Sequence, residues 1–200
     1  MPNRRIHKII GFVLLAPVLV WAVTGVFFLV RPAYEDAYGA LTVKTYPLSS
    51  QLELPIADQW LEFRYLETVL GSHLLVRTAN GWEHLDGSTG EEYPVPDSNE
   101  LQSLVADAIA QTPSRYGELA KVDGNTFLTT TGVAITLSWA TLSLTQTGND
   151  TRWINKIYDI HYLRWTGIGW LDEIVGVLGL VLLILMAITG ARLLFWPQKL

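Results

Sequence analysis

The stretch RRIHKIIGFVLLAPVLVWAVTG, residues 4–25, decides the architecture of this chain. It starts with basic residues and enters an apolar run that carries no charge from Ile9 to Val30, 22 residues. A helix needs roughly 20 such residues to cross the hydrocarbon core of a bilayer. A second uncharged run extends from Ile174 to Ala191. The sequence therefore predicts two membrane-spanning helices.

The first run also has features of an export signal, because basic residues precede an apolar core. A cleavable signal has a core of about 7–15 residues and then a site of small residues. Here the core is longer, and Thr24-Gly25 is followed directly by VFFLV, which continues the span. We interpret the segment as a retained anchor.

Charge placement predicts the orientation of the two helices. All 19 acidic residues lie between Glu35 and Glu173, and the middle segment from Arg31 to Glu173 carries a net charge of −10. An excess of lysine and arginine marks the cytoplasmic flank of a span. The flanks hold only positive charges, at Arg4, Arg5, Lys8, Arg192 and Lys199. The pattern predicts both termini in the cytoplasm of a bacterial inner membrane and a periplasmic middle segment.

Composition excludes several classes of function. The chain has no cysteine, which excludes disulfides, iron–sulfur clusters and cysteine nucleophiles. The acidic middle segment argues against nucleic-acid binding. No nucleophile elbow, zinc-protease motif, phosphate-binding loop or dinucleotide fingerprint occurs, so no catalytic residue is assigned.

The middle segment has the pattern of short strands with one helix. Asn80-Gly81 is a strong hairpin signal between two strand-forming runs. Asp97 and Glu100 have capping-box spacing ahead of an apolar face, which predicts a helix after the hairpin. The other runs with strand composition are YLETVLG (65–71), NTFLTT (125–130), VAITLSW (133–139) and TLSLTQT (141–147). We expect an α+β extracytoplasmic domain, an antiparallel sheet with a packed helix, between two transmembrane α-helices.

Several sequence elements together are similar to one bacterial family. They are RRIHKIIG at the first span, Thr24-Gly25 near its end, a DGSTG turn, and the run IHYLRWTGIGWLDEIVGVLGL that leads to ITGARLLF. This combination resembles the PepSY-associated transmembrane family. Larger members have four or more spans, and some resemble ferric-siderophore reductases that hold b-type haem through membrane histidines.

The resemblance and the hydropathy together predict the division of the chain. The expected parts are a cytoplasmic N-terminus (1–8), transmembrane helix 1 (9–30), a periplasmic PepSY-like α+β domain (31–155), an interfacial helix (156–170), transmembrane helix 2 (171–195) and a cytoplasmic tail (196–200).

The resemblance makes His7 and His161 candidate haem ligands, since they occupy the histidine positions of the family. About 30 Å of bilayer is expected to separate them, whereas two axial nitrogens on one iron lie about 4 Å apart. The partners would therefore come from a second copy of the chain or from another subunit. In the alternative interpretation, His7 contacts lipid phosphate, His161 packs at the interface, and no cofactor is bound.

The two remaining histidines, His73 and His84, flank the predicted hairpin turn. Counting across Asn80-Gly81 places His84 opposite Arg77, four residues beyond His73. We therefore expect solvent-exposed histidines that are not neighbours.

Glycines on both spans allow close helix approach. The glycines are Gly11 and Gly25 on the first helix and Gly169, Gly176 and Gly190 on the second. They would permit a homodimer, the packing of the two spans of one chain, or room for a porphyrin. The sequence leaves three functions open. The first is a b-haem electron-transfer subunit that passes electrons to a periplasmic acceptor such as ferric iron. The second is a non-catalytic anchored module that binds or regulates a membrane or periplasmic partner, and the third is an accessory subunit of a larger membrane complex.

Overall fold

A computed structural model describes residues 2–48 and 58–195 of the chain. The predicted tail, residues 196–200, lies outside the described residues. The chain divides into two units. One, the helical unit, is built from the residues up to Ala33 and from Arg152 onward; the other, the sheet domain, is Tyr34–Thr151.

Three helices form most of the helical unit. They are α1 (Pro2–Val30), α5 (Asn149–His161, which begins in the sheet domain) and α6 (Gly169–Phe195). Helices α1 and α6 are both long and apolar enough to cross a membrane, and they pack against each other. Their apolar side chains lie mostly on the outside, as lipid-facing surfaces require.

The sheet domain contains two antiparallel sheets. The first has the order β1-β2-β3, and the second has the order β4-β5-β6-β7. The strands are β1 (Glu62–Thr68), β2 (Gly71–Thr78), β3 (Gly81–Asp86), β4 (Leu119–Asp123), β5 (Thr126–Thr129), β6 (Ala134–Ser138) and β7 (Ser143–Thr147). Short helices α2 (Tyr34–Tyr38) and α4 (Pro113–Tyr116) and a 3₁₀ turn (Trp139–Thr141) complete the domain.

Helix α3 (Ser98–Ile109) begins as its sequence predicts. The Asp97 carboxylate accepts from the amide of Glu100 at 2.9 Å, and the Glu100 carboxylate accepts from the amide of Asp97 at 3.1 Å. The apolar face of the helix packs into the core that both sheets share with it. Its buried residues are Leu101, Leu104, Val105, Ala108 and Ile109. The α+β fold between two apolar helices is therefore confirmed.

The register of the β2–β3 hairpin differs from the prediction. Thr78 pairs with Gly81, so the central turn residues are Ala79 and Asn80. The Thr78 hydroxyl accepts from the Asn80 amide at 3.2 Å, which stabilises the turn at this position. His84 consequently lies opposite Leu75 instead of Arg77, a slip of two residues. His73 and His84 become diagonal neighbours on one face, so the expectation that they lie apart was wrong.

Candidate functional site

One histidine of the helical unit is held by the first Thr-Gly pair. His161, the last residue of α5, places Nδ1 2.8 Å from Oγ1 of Thr24 on α1. Its ring stacks on Trp21, with centroids 5.4 Å apart and an interplanar angle of 12°, and meets Phe28 edge-on at 4.9 Å. We call this contact the Thr24 clamp.

The other histidine of this unit is held by the second Thr-Gly pair. His7, near the start of α1, places Nδ1 3.0 Å from Oγ1 of Thr189 on α6. We call this contact the Thr189 clamp. Each Thr-Gly pair thus receives an imidazole from another helix, one at each end of α1.

The tautomer of each ring is assigned from its hydrogen bonds. In both clamps, backbone carbonyls one turn earlier lie 2.8 to 3.1 Å from the threonine hydroxyl oxygen, and we assign the single hydroxyl proton to these carbonyls. With that assignment the histidine donates from Nδ1, which leaves the Nε2 lone pair of a neutral ring available. Among the described residues, neither Nε2 has a hydrogen-bond partner.

The glycines beside the threonines make room for the rings. A Cβ added at Gly190 would lie 3.2 Å from Cε1 of His7, whereas one added at Gly25 would lie 3.8 Å from Cε1 of His161. Gly11 likewise lies against Met186 of α6. At Gly11, Gly25 and Gly190 the glycines pack segments of one chain together, which is one of the three uses expected from the sequence.

The two glycines predict different responses to the same substitution. Gly190→Ala should shift the His7 ring by a few tenths of an ångström and weaken its bond to Thr189, because a contact of 3.2 Å is tighter than ordinary van der Waals contact. Gly25→Ala should leave His161 in place, because 3.8 Å is ordinary van der Waals contact. NMR of ¹⁵N-histidine in detergent micelles reports the Nδ1–H resonance of each ring. Equal changes in both variants would contradict the assignment of the clamps.

The two clamps are far apart. His7 and Thr24 lie 17 residues apart on the same helix, which corresponds to about 25 Å. His7 and His161 of one chain therefore do not share one metal ion. The apolar pocket beside Trp21, lined also by Leu163 and Gly179, holds about 80 Å³. Cofactor sites usually need at least about 300 Å³, so this pocket of one chain does not enclose a porphyrin.

Acidic residues do not orient His161. The Asp172 carboxylate instead accepts from the amide and hydroxyl of Thr166 at 2.8 and 2.7 Å, which fixes the loop before α6. Thr24 orients the imidazole.

The histidines of the sheet domain form a buried pair that the sequence did not predict. Nδ1 of His73 lies 2.9 Å from Nε2 of His84, and their residue exposures are 0% and 6%. Tyr93 stacks on His73 with ring centroids 5.0 Å apart, and Trp139 lies over His84 at 4.3 Å. The expected exposed histidines were therefore wrong.

One backbone carbonyl sets the direction of the whole hydrogen-bond chain. Nδ1 of His84 lies 2.8 Å from the carbonyl of Trp139, which can only accept, so His84 donates there. A neutral His84 then accepts at Nε2 from Nδ1–H of His73. A neutral His73 in turn accepts at Nε2 from the Thr68 hydroxyl, at 2.7 Å. Both rings are satisfied as neutral imidazoles, and they join the first sheet to the 3₁₀ turn after β6.

Burial shifts both rings toward the neutral form. Desolvation, aided by the proximity of His84 and opposed by Asp86, lowers the pKa of His73 from 6.5 to about 4. Desolvation also lowers the pKa of His84, although the bond to the Trp139 carbonyl opposes it.

An open cleft of about 640 Å³ lies beside this pair. Its walls come from β3, from residues 92–95, and from the end of β6. The lining residues that suit a binding role are aromatic or acidic: Trp82, Glu83, Glu92, Tyr93 and Trp139. Among the described residues, no group of three or more histidine, cysteine, aspartate or glutamate side chains could hold a metal ion.

The fold and the two clamps define a two-span membrane protein with an α+β domain between its helices. The family model for the PepSY-associated TM region matches residues 2–199, nearly the whole chain. The chain belongs to the PepSY-associated transmembrane family, and the predictions of family and of two spans are confirmed. No curated protein and no solved structure matches the chain significantly.

Proposed function

We propose that this chain is a subunit of a membrane electron-transfer protein that binds b-type haem, with His7 and His161 as axial ligands. The observation that supports the proposal is the contact of each histidine Nδ1 with a threonine hydroxyl, which leaves Nε2 without a hydrogen-bond partner among the described residues. With the proton assigned to Nδ1, the Nε2 lone pair of each ring would be available to a haem iron.

The donor set fits a homodimer. Each end of the helical unit offers one imidazole, which is half of a bis-histidine set, and the two ends lie about 25 Å apart. His7 and His7 of a second copy would bind one haem, and the two His161 residues would bind another. Alternatively, a different subunit could supply the second histidine at each end. The second copy would approach the exposed apolar faces of the helices, because Gly11, Gly25 and Gly190 are occupied within one chain.

The chain's own residues would orient the ligands and limit water. Thr24 and Thr189 hold the imidazoles, and Trp21 and Phe28 shield His161. A haem bound in this way carries single electrons. The charge asymmetry supports cytoplasmic termini in a bacterial inner membrane and a periplasmic sheet domain. An acceptor such as ferric iron would then lie on the periplasmic side. We assign no catalytic residue.

A visible spectrum tests the proposal. Protein purified in mild detergent from haem-replete cells should show sharp bands after dithionite reduction, with about one haem per chain if both ends of a dimer are occupied. His7→Ala and His161→Ala should each remove about half of the haem, and the double variant all of it. A colourless preparation would exclude the proposal.

A matched control uses a histidine outside the helical unit. His84→Gln changes the sheet domain and should leave the haem content unchanged. Loss of haem in His84→Gln, or full retention in the His7/His161 double variant, would contradict the assignment of the ligands.

A second candidate function is a membrane-anchored module whose sheet domain binds or regulates a partner protein. The cleft beside β3 favours it, because an open cavity with aromatic and charged walls is a typical binding site. Photo-crosslinking in cells, with a photoreactive residue in place of exposed Leu61 or of Val95 in the cleft wall, tests for such a partner. A specific crosslinked protein is expected at one of these positions, and its absence from both would count against this function.

A further inference from the structure

Among residues 2–48 and 58–195, none forms a main-chain hydrogen bond with the outer edge of β3 at its Gly81 end. Strand β3 is the outer strand of the first sheet. At its far end, the His84 carbonyl accepts from the Tyr93 amide and the Asp86 amide donates to the Glu91 carbonyl, both at 2.8 Å. Main-chain groups of a strand point alternately to its two sides, so those of Trp82 are directed at the same edge. Residues 91–93 therefore cover only the Asp86 end of β3.

The uncovered end opens into the cleft, and the cleft has a net negative charge. Glu83 and Glu92 line it, and both are exposed. No lysine or arginine is among its lining residues in the described part of the chain. Tyr93 and Trp139 add aromatic walls, against which aliphatic stems and cationic groups both pack favourably. The Trp82 ring already has the guanidinium of Arg64 over it, with Cζ 5.2 Å from the ring centroid.

We propose that this cleft binds an extended, basic segment of a partner protein, which adds to the Trp82 end of β3 as a further strand. Main-chain hydrogen bonds to the sheet edge supply a sequence-independent part of the affinity, and alternate side chains supply the specificity. Lysine or arginine side chains lie beside Glu83 and Glu92. The proposal rests on the second candidate function and names the chemistry of its partner.

Peptide binding to the full-length protein in nanodiscs tests the charge preference. The probes are two fluorescent peptides of about eight residues, one alternating valine with lysine and one alternating valine with glutamate. Fluorescence anisotropy should show the lysine peptide binding at least about tenfold more tightly, and more weakly as salt rises. Equal affinities for the two peptides would overturn the proposal.

Variants locate the site. The double variant Glu83→Gln/Glu92→Gln should weaken binding of the lysine peptide by about tenfold, because two carboxylates are neutralised. The amide oxygen of the new glutamine at position 83 can still accept the hydrogen bond from the Thr78 hydroxyl. Glu91→Gln/Glu118→Gln removes the same charge from exposed positions outside the cleft lining and should change affinity less than about twofold. Equal losses in both double variants would attribute binding to general charge attraction and overturn the site.

N-methylated peptides test the added strand. Methylation of alternate amides blocks one edge of a strand, and a shift by one residue blocks the other. One of the two peptides should lose binding and the other should keep it; retention by both would exclude strand addition. Haem content and crosslinking are measured separately, so a failure here would be distinguishable from the failure of either proposed function.

Discussion

Lowering the pH from 6.5 to 4 is expected to remove about 2–3 kcal/mol from the unfolding free energy of the sheet domain. The cause is the buried pair of His73 and His84. The pKa of His73 falls to about 4 in the folded state, against 6.5 for an ordinary histidine, because burial penalises the charged ring. The unfolded chain therefore binds more protons than the folded chain between these pH values. The stability is complete above pH 6.5 and is lost as the pH falls toward 4.

Hydrogen exchange of the β2 amides measures this effect in the full chain, after correction for the intrinsic pH dependence of exchange. Leu74, Leu75 and Val76 are almost fully buried and report opening of the first sheet. Another shifted group of the sheet domain, the Asp150 carboxyl, titrates below the pH range of 6.5 to 4. Burial raises the pKa of Asp150, but hydrogen bonds from Arg115 and the Thr151 amide outweigh burial and hold this pKa below 3.8.

The control variants are His7→Gln and His161→Gln, which remove histidines from the helical unit. They should leave the pH dependence of the β2 amides unchanged, whereas His73→Gln should reduce it. A β2 protection free energy that stays constant between pH 6.5 and 4 would show that the pair does not titrate with the sheet.

Arg115→Met should destabilise the sheet domain by about 3 kcal/mol. The Arg115 side chain is only 10% exposed; Nη1 donates to the Asp150 carboxylate at 2.7 Å and Nε donates to the Gln146 amide oxygen at 2.8 Å. Its removal leaves a half-buried carboxylate without its cation, and uncompensated charge is the costly part of breaking such a pair.

Two further variants separate this explanation from general loss of an arginine. Arg115→Met/Asp150→Asn removes the unpaired charge and should recover about 1 kcal/mol of the loss. Arg64→Met removes a guanidinium whose side chain is 60% exposed and whose carboxylate partner Glu62 lies at 3.5 Å. Arg64→Met should lower the unfolding free energy of the sheet domain by less than about 1 kcal/mol, because an exposed ion pair contributes little. Exchange protection of β7, which contains Gln146, provides the measurement; equal losses for Arg115→Met and Arg64→Met would contradict the prediction.

Local patterns in this sequence predicted local structure well. The capping box of Asp97 and Glu100 depends on residues three apart, and α3 begins as that spacing requires. The hairpin between β2 and β3 was also recognised from Asn80-Gly81, but its register was not. Thr78 stabilises the turn through its hydroxyl, and a slip of two residues preserves the alternation of inward and outward side chains. Hydrophobic pattern alone cannot detect such a slip.

The candidate site was predictable in its residue types but not in its contacts. The family resemblance singled out His7 and His161, and each apolar run carries a Thr-Gly pair. Which histidine meets which threonine depends on how α5, α1 and α6 pack, and these segments are far apart in the chain. The His73–His84 pair had no sequence signal beyond its strands, since its contact follows from the hairpin register.

The Thr189 clamp has a consequence for biogenesis. His7 and its partner Thr189 are 182 positions apart in the chain. During synthesis the first helix must enter the bilayer with its imidazole unpaired, and that contact forms only after the sheet domain and the second helix have been translated. Closure of the helix pair is thus expected to be a late assembly event, in which completion of the last helix secures the first.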